Sequence, residues 1–438
     1  MNSFDVVVVG GGTAGAVAAI AAGRAGARTV VIEQTGALGG TQTQGWVTPM
    51  MPNYLGDFKL NRGINLDIIA AQNKLQPSTD GFTHNDVWYD PNALSLVLDQ
   101  LAHEAGVKCL FGATLASVAK SNSQISSVTA LCRGGAVEIA GKCFIDASGD
   151  AELSRLAGAE LMGGNEDGIH QPMTLRFTIG GIDMDALRGG VGFWHINTPE
   201  RVEAGWGEAK DGAEIGDMVR EAIAKGVLHE DDLGYFQFFT MNGRPGELAF
   251  NAPRISGLDP TNPWDFSRAY QVGREKIYRI AAFVRGWFPG CQSSFVSGIA
   301  PLMGIRESHR VVGEYILTAE DHIECRKFSN SIARNRYPID IHLKTGLDYR
   351  KFPPGEYHDI PYGSLVVKGL DNLWVAGRCL SADFVAQSSV RIQPVCRAMG
   401  EAAGVAAALC AQKGIAAREL DYLDLEPFLD LSLPGGGA

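Results

Sequence analysis

The chain has 438 residues, enough at roughly 150 per domain for two or three compact units. Hydrophobic residues make up 45% and charged ones 20%, which excludes a disordered or collagen-like polypeptide. With 38 basic against 49 acidic residues the net charge is −11, which argues against a protein that grips nucleic-acid phosphates.

Val6 to Gly23 carries no charge, yet Asp5 stands where a signal peptide wants Lys or Arg, and five glycines interrupt the run. It reads as the buried strand Phe4–Val9, a glycine turn and a helix from about Thr13 to Ala25, and the strand Thr29–Glu33 closes a βαβ-like unit. Residues Gly36–Gly63 are loop-like, and helical periodicity returns over Ile64–Lys74 and Pro91–Ala105. Short strands are expected at Lys108–Leu110, Ala113–Val118, Ile125–Arg133, Ala136–Ile139 and Lys142–Asp146, then a helix Ala151–Ala157. Between Gly163 and about Gly363 strand-like pieces (Thr174–Ile179, Tyr235–Thr240) mix with helices (Ala213–Lys225, Phe266–Phe283). After Asp371 the opening texture returns: strand Asn372–Ala376, a glycine, and an alanine-rich helix from about Pro394 to Gln412. Beyond the terminal Pro434-Gly-Gly-Gly-Ala there is no low-complexity tract. The first and last thirds therefore read as one α/β domain, 1–162 with 364–438, and 163–363 as an inserted substrate domain. Eight cysteines without a C-x-x-C pair read as reduced thiols of a cytoplasmic, soluble protein.

Four motifs carry chemistry. Gly10-x-Gly12-x-x-Gly15 follows a strand and opens a helix at Thr13 and Ala14. Gly10 permits the tight turn, Gly12 admits a pyrophosphate, and Gly15 allows close packing. Glu33, just before Gln34, is placed for ribose hydroxyls; it would repel a 2′-phosphate, so NADP is disfavoured while NAD and FAD stay open. A packing turn in an unrelated α/β protein is the alternative. In Leu38-Gly39-Gly40-Thr41-Gln42-Thr43-Gln44-Gly45, glycines and short donors suit a loop wrapping an extended ligand, or a plain surface loop. Ala147-Ser148-Gly149-Asp150 lies beyond a strand's carboxyl end, where Asp150 meets a sugar or ribitol hydroxyl or serves as a helix N-cap. Gly377-Arg378 ends another strand, and a helix starts near Pro394 after Ile392 and Gln393. A second helix N-terminus in the cleft suits a ring that becomes anionic on reduction, favouring flavin over nicotinamide.

The segments VVVVGGGTAGAVAA, LGGTQTQG, MGIRESHRVVGEYILT, NSIARNRYPIDIH and NLWVAGRCLSADFVAQSSVRIQPVCRAMGEAAG resemble the bacterial FAD-dependent oxidoreductases. That family is distantly related to fumarate reductase flavoproteins and to heterodisulfide reductase. The resemblance covers most of the chain except about 181–295. It implies an α/β fold: a glutathione-reductase-type FAD-binding (Rossmann-like) domain with an inserted α+β substrate domain. By motif position it implies FAD contacts at Gly10, Gly12, Ala14, Gly15, Glu33, Gly39, Gly40 and Thr41. Others fall at Ala147, Gly149, Asp150, Gly377, Arg378, Ile392 and Gln393, with Leu115 reached by the adenine. Neighbouring Thr13, Gln34, Gly45 and Ser148 are counted with them. His309 stands where the family often has Arg.

Flavin dehydrogenation needs a donor C–H and a base for the departing proton. On an expected helix Leu302–Leu317, Arg306, His309, Arg310 and Gly313 share a face; on the strand Tyr337–Leu343, Asp340 and His342 point to one side. His342 or His309 is then the candidate base, Asp340 its orienting partner, and Arg306 a holder of an anionic substrate group. A surface ion-pair face and a structural histidine are the plainer alternatives. His170-Gln171 is a further candidate, and Trp194, Trp206, Trp264 and Trp287 are core or interface residues, or walls for a ring substrate. Motifs for P-loop, zincin, EF-hand and hydrolase-elbow sites are missing from the sequence, and no metal is expected. The expectation is an FAD-dependent dehydrogenase or oxidase acting on a small organic substrate with an unidentified acceptor. A flavin monooxygenase, an NAD-linked dehydrogenase or a non-catalytic flavin-fold binding protein are the alternatives.

Overall fold

A computed structural model describes residues 2–76, 88–190, 194–198, 202–207, 213–342 and 347–433. The side chains of Trp194 and Trp206, the end of the expected strand at Leu343, and residues 434–438 lie outside that description.

The all-apolar run Val6–Val9 forms the second half of a strand, Asn2–Val9, and is covered on both faces, as a central parallel strand must be. Its parallel neighbours are Thr29–Glu33 on one side and Gly135–Asp146 on the other, and Lys108–Phe111 extends the sheet beyond Thr29–Glu33. Two strands were expected over 136–146, but one twelve-residue strand is found, because its two halves serve different neighbours. Gly135–Ala140 pairs antiparallel with Gln124–Cys132, which in turn pairs with Thr114–Ser121; Phe144–Asp146 pairs parallel with Leu373–Val375. Val9, Asp146 and Val375 are in register, so three parallel strands end at one level.

The first helix, Thr13–Arg24, packs along the last long one, Gln393–Lys413. Their backbones touch: a Cβ on Gly400 would sit 2.1 Å from Ala14 O, and one on Gly404 2.2 Å from Ala18 O. Both helices are alanine-rich because only small side chains permit that approach.

A second core runs from Met173 to Met303. Its antiparallel sheet is ordered Trp194–Asn197, Val202–Gly207, Tyr235–Thr240, Leu248–Phe250, Phe177–Gly180 and Phe295–Ile299. The helix Pro263–Trp287, capped by Asn262, lies against it, and Phe177, Phe236, Phe238, Phe250, Phe283 and Phe288 interlock between them. Leu317, Ile332, Ala333 and Ile360 join the first core instead.

The expected helix over Leu302–Leu317 does not form. The segment is extended, with His309–Val311 paired to Leu161–Gly163 and further main-chain bonds from Val311 to Cys379 and from Leu317 to Ser381. Its i, i+3, i+4 spacing of charged residues reflects a buried polar network rather than an amphipathic face, so tertiary pairing prevails over the apparent period. Among the described residues no helix is long and apolar enough to cross a membrane.

Candidate functional site

At the first strand's end Gly10 has φ +89°, and a Cβ there would lie 2.5 Å from Ala147 O; at Gly15 it would lie 1.8 Å from Gly10 O. At Gly12, the N-cap, a Cβ would find nothing closer than Ala147 O at 3.9 Å. No side chain caps the first helix at Gly12, so its leading N–H groups face that space. Glu33 is buried and accepts from the Gly11 and Thr35 N–H groups, each at 2.7 Å, which binds the turn to the second strand.

The glycine loop closes over this turn. Gly39 N–H donates to Gly11 O at 2.8 Å, Thr13 Oγ1 donates to Gly39 O at 3.3 Å, and a Cβ on Gly40 would sit 2.8 Å from Gly12 Cα. The loop's far end is fixed to the helix Gln393–Lys413 by side chains, of which Tyr89 was revealed by no motif. Gln42 donates to Gln393 Oε1 at 2.9 Å, Gln393 Nε2 donates to Val47 O at 2.6 Å, and the Tyr89 hydroxyl reaches both Val47 O and Gln393. The Gln393 amide is thus committed to the loop, while Ile392 caps its helix without a side-chain bond.

Asp150 is not a helix N-cap. Ala151 holds that position in the left-handed conformation, φ +58°. The leading N–H groups of Glu152–Leu156 go to Ser148 Oγ and to the buried carboxylate of Asp146. Asp150 is thereby released to pair with Arg378 at 2.8 Å, and Arg378 also donates to Ser308 Oγ at 2.7 Å. Gly149 (φ +82°) lies under that guanidinium, and Gly377 (φ +91°) under Ala14. Leu115 is at the start of its strand, opposite Ala130. Gln34 and Gly45 flank the same turn and loop.

Beyond these strand ends lies a second, side-chain-built cluster. Arg306, Asp340 and His342 come together there, from two segments over thirty residues apart in sequence. Arg306 is buried and donates to Pro172 O and Thr174 Oγ1 at 2.6 and 2.7 Å. Gln387 Nε2 bonds both Arg306 O and Arg378 O, tying this segment to the Gly377-Arg378 turn. His342 Nε2 is 3.4 Å from Asp340 Oδ2, and its Nδ1 is 3.0 Å from Arg254 Nη2. The Asp340 N–H donates to Ser388 Oγ, and Arg391, just before the last helix, reaches Asp340 Oδ2 at 3.5 Å. Burial, with the Arg306 charge beside it, pushes His342 down to about 3, so the ring is neutral at pH 7. Burial works to raise Asp340, but His342, Arg391 and Arg306 outweigh it and hold the carboxyl below its usual range. Burial and the neighbouring Arg391 and Arg254 lower Arg306 to about 9, so it keeps its charge.

His309 lies apart from this cluster, near His170 at Gly163. There Glu307, fully buried, accepts from Gly164 N–H at 3.0 Å, pairs with Arg310 and holds His170 Nδ1 at 2.7 Å; the Glu307 contact raises the His170 pKa. Trp264 is exposed, and Trp287 donates to Glu221 at 3.2 Å on the outside of its helix.

Two features fit a flavin dinucleotide: the open approach at Gly12 beside an uncapped helix start, and buried polar atoms near the other helix start. The latter, Gln171 Nε2, Gln387 Oε1 and Arg391 Nε, find no partner among the described residues. Gly10, Gly12, Glu33 and the loop Gly39–Gly45 would hold its nucleotide half, and the Ile392–Gln393 turn its ring.

Residues 5–429 match the family described as FAD dependent oxidoreductase. A 96-residue stretch is 34% identical to the dihydrolipoyl dehydrogenase of Trypanosoma brucei brucei; it covers 19% of this chain and 20% of that enzyme, about a fifth of the relative's length. A geranylgeranyl bacteriochlorophyll reductase-like protein from Thermoplasma acidophilum superposes with TM-score 0.43 at 15% identity, over 98% of this chain and 82% of that one. The myxobacterial chondrochloren halogenase does so with TM-score 0.47 at 10% identity, over 98% and 78%. The chain belongs to the FAD dependent oxidoreductase family, and FAD is its cofactor.

Proposed function

We propose that this member of the FAD dependent oxidoreductase family oxidises a small organic anion, removing a hydride while His342 takes the accompanying proton. Bound FAD supplies the hydride acceptor. Arg391 pairs with the carboxylate of Asp340, and Arg306 feels the same charge through space; a substrate carboxylate is the natural complement to that surplus of guanidinium charge. His342 enters the reaction neutral, as a proton acceptor must. The Asp340 carboxylate, 3.4 Å from His342 Nε2, stabilises the imidazolium that forms.

The observation that carries this reading is the buried His342 held between the Asp340 carboxylate and the Arg254 guanidinium, next to the turn before the helix Gln393–Lys413. The test is anaerobic bleaching of the bound flavin with hydroxy acids, amino acids and their uncharged esters or alcohols. Acids that bleach it where the neutral analogues do not support the reading. Incorporation of molecular oxygen into the product would replace it with a monooxygenase.

A further inference from the structure

The His342–Arg254 contact bears on the order of events at this site. A guanidinium can only donate, so at 3.0 Å from Arg254 Nη2 the Nδ1 of His342 must be the acceptor, and the ring hydrogen is on Nε2 facing Asp340. The lone pair that would take a substrate proton is therefore already occupied. Arg254 comes from the strand Arg254–Ile255, held on Met173–Thr174, and His342 N–H is fixed by Gln171 Oε1 at 3.2 Å, so the two residues belong to separate elements.

We propose that Arg254 is a positioning residue that blocks His342 Nδ1 until an anionic substrate group draws its guanidinium away, so that only substrates carrying such a group are oxidised. The inference rests on the reading of His342 as the base. In the step itself the O–H or N–H proton of the substrate goes to the freed Nδ1 and a carbonyl or imine forms, the C–H hydride being one that bound FAD would accept. The groups facing the imidazole agree with this order. Arg254, Arg306 and Arg391 oppose a charge on the ring, Asp340 favours one, and Tyr349 on the paired strand touches the field of Asp340. Burial opposes the charge most and stays in place; neutralising the arginines with an anion removes their share of the opposition and leaves the carboxylate. Proton affinity at His342 is thus raised by the molecule that needs it.

The test uses the whole flavin-loaded protein, labelled with nitrogen-15 histidine, and acetate as the probe; His342→Gln identifies the signal. Without acetate, His342 stays neutral with hydrogen on Nε2 across pH 5 to 8. Saturating acetate brings its protonation midpoint up into that range, a gain of about a hundredfold or more in proton affinity. Arg254→Met shows the raised midpoint without acetate and no further response, and Arg254→Lys restores part of the response. A midpoint unmoved by acetate in the native protein overturns the proposal, whether or not the Met variant folds. If flavin bleaching by acids persists in that case, the oxidation reading survives alone; a responsive imidazole with no bleaching by any acid condemns that reading instead.

Discussion

The nucleotide cradle and the arginine–histidine cluster are built from different materials. In the cradle the contacts are main chain to main chain: Gly10 on Ala147, Gly40 on Gly12, Gly39 bonded to Gly11, with Glu33 anchoring two N–H groups. The cluster is made of long side chains delivered by Arg254, Arg306, Asp340, His342 and Arg391, from four separate stretches of sequence. A site made of backbone tolerates no added atoms but needs few particular side chains. One made of side chains tolerates small shifts, yet depends on charge balance.

Each half of that contrast can be broken separately. Gly15→Val forces a side chain onto an oxygen 1.8 Å away, so it should cost about 3 kcal/mol or more and empty the protein of flavin. Denaturant midpoint and flavin-to-protein ratio measure it; normal values for both would mean that the cradle is not backbone-limited. His342→Asn should leave flavin content intact while lowering kcat about 100- to 10,000-fold. A loss under tenfold would remove His342 from the chemistry. Arg306→Gln is expected to lower kcat/KM about 30-fold, ~2 kcal/mol, mostly through KM for a charged substrate; steady-state kinetics on an acid and its amide tell whether the loss follows the charge.

The smallest effect sharpens the comparison from within the scaffold. Glu401, on the last helix, accepts from the Ile64 N–H at 3.2 Å, and burial raises it from 4.5 to about 7. The folded state therefore holds a proton that the unfolded chain releases. Stability is fullest below pH 4.5 and falls as pH rises through 7, by on the order of 1–3 kcal/mol. Glu401→Gln should flatten this slope between pH 5 and 8 in thermal melts. An unchanged slope would locate the titration elsewhere.

The same contrast explains what could be read from sequence. Gly10, Gly12 and Gly15 declare themselves because a tight turn and a close crossing demand glycine at fixed spacing, and the strands beside them are continuous apolar runs. Asp340 and His342 were findable because two residues apart on a strand is a local fact. Arg254 gave no signal: it lies in a stretch without motif, and its meaning comes only from the element packed against it. The helix expected over Leu302–Leu317 failed for the same reason, since Glu307 and Arg310 are charged residues turned inward to His170 and Gly164. Asp146 gives no sign of a capping role in the sequence because its partners, Ser148 in the turn and Ser154 in the short helix, come after the strand that it ends.

The backbone contact of the first helix with the last has a consequence for biosynthesis. Ala14 and Ala18 leave the ribosome nearly four hundred residues before Gly400 and Gly404, against which their carbonyls close. The opening βαβ unit must therefore wait with an apolar helix flank uncovered until the helix Gln393–Lys413 has been translated. Capture of the dinucleotide is in that sense a finishing step of synthesis rather than an early nucleus for it.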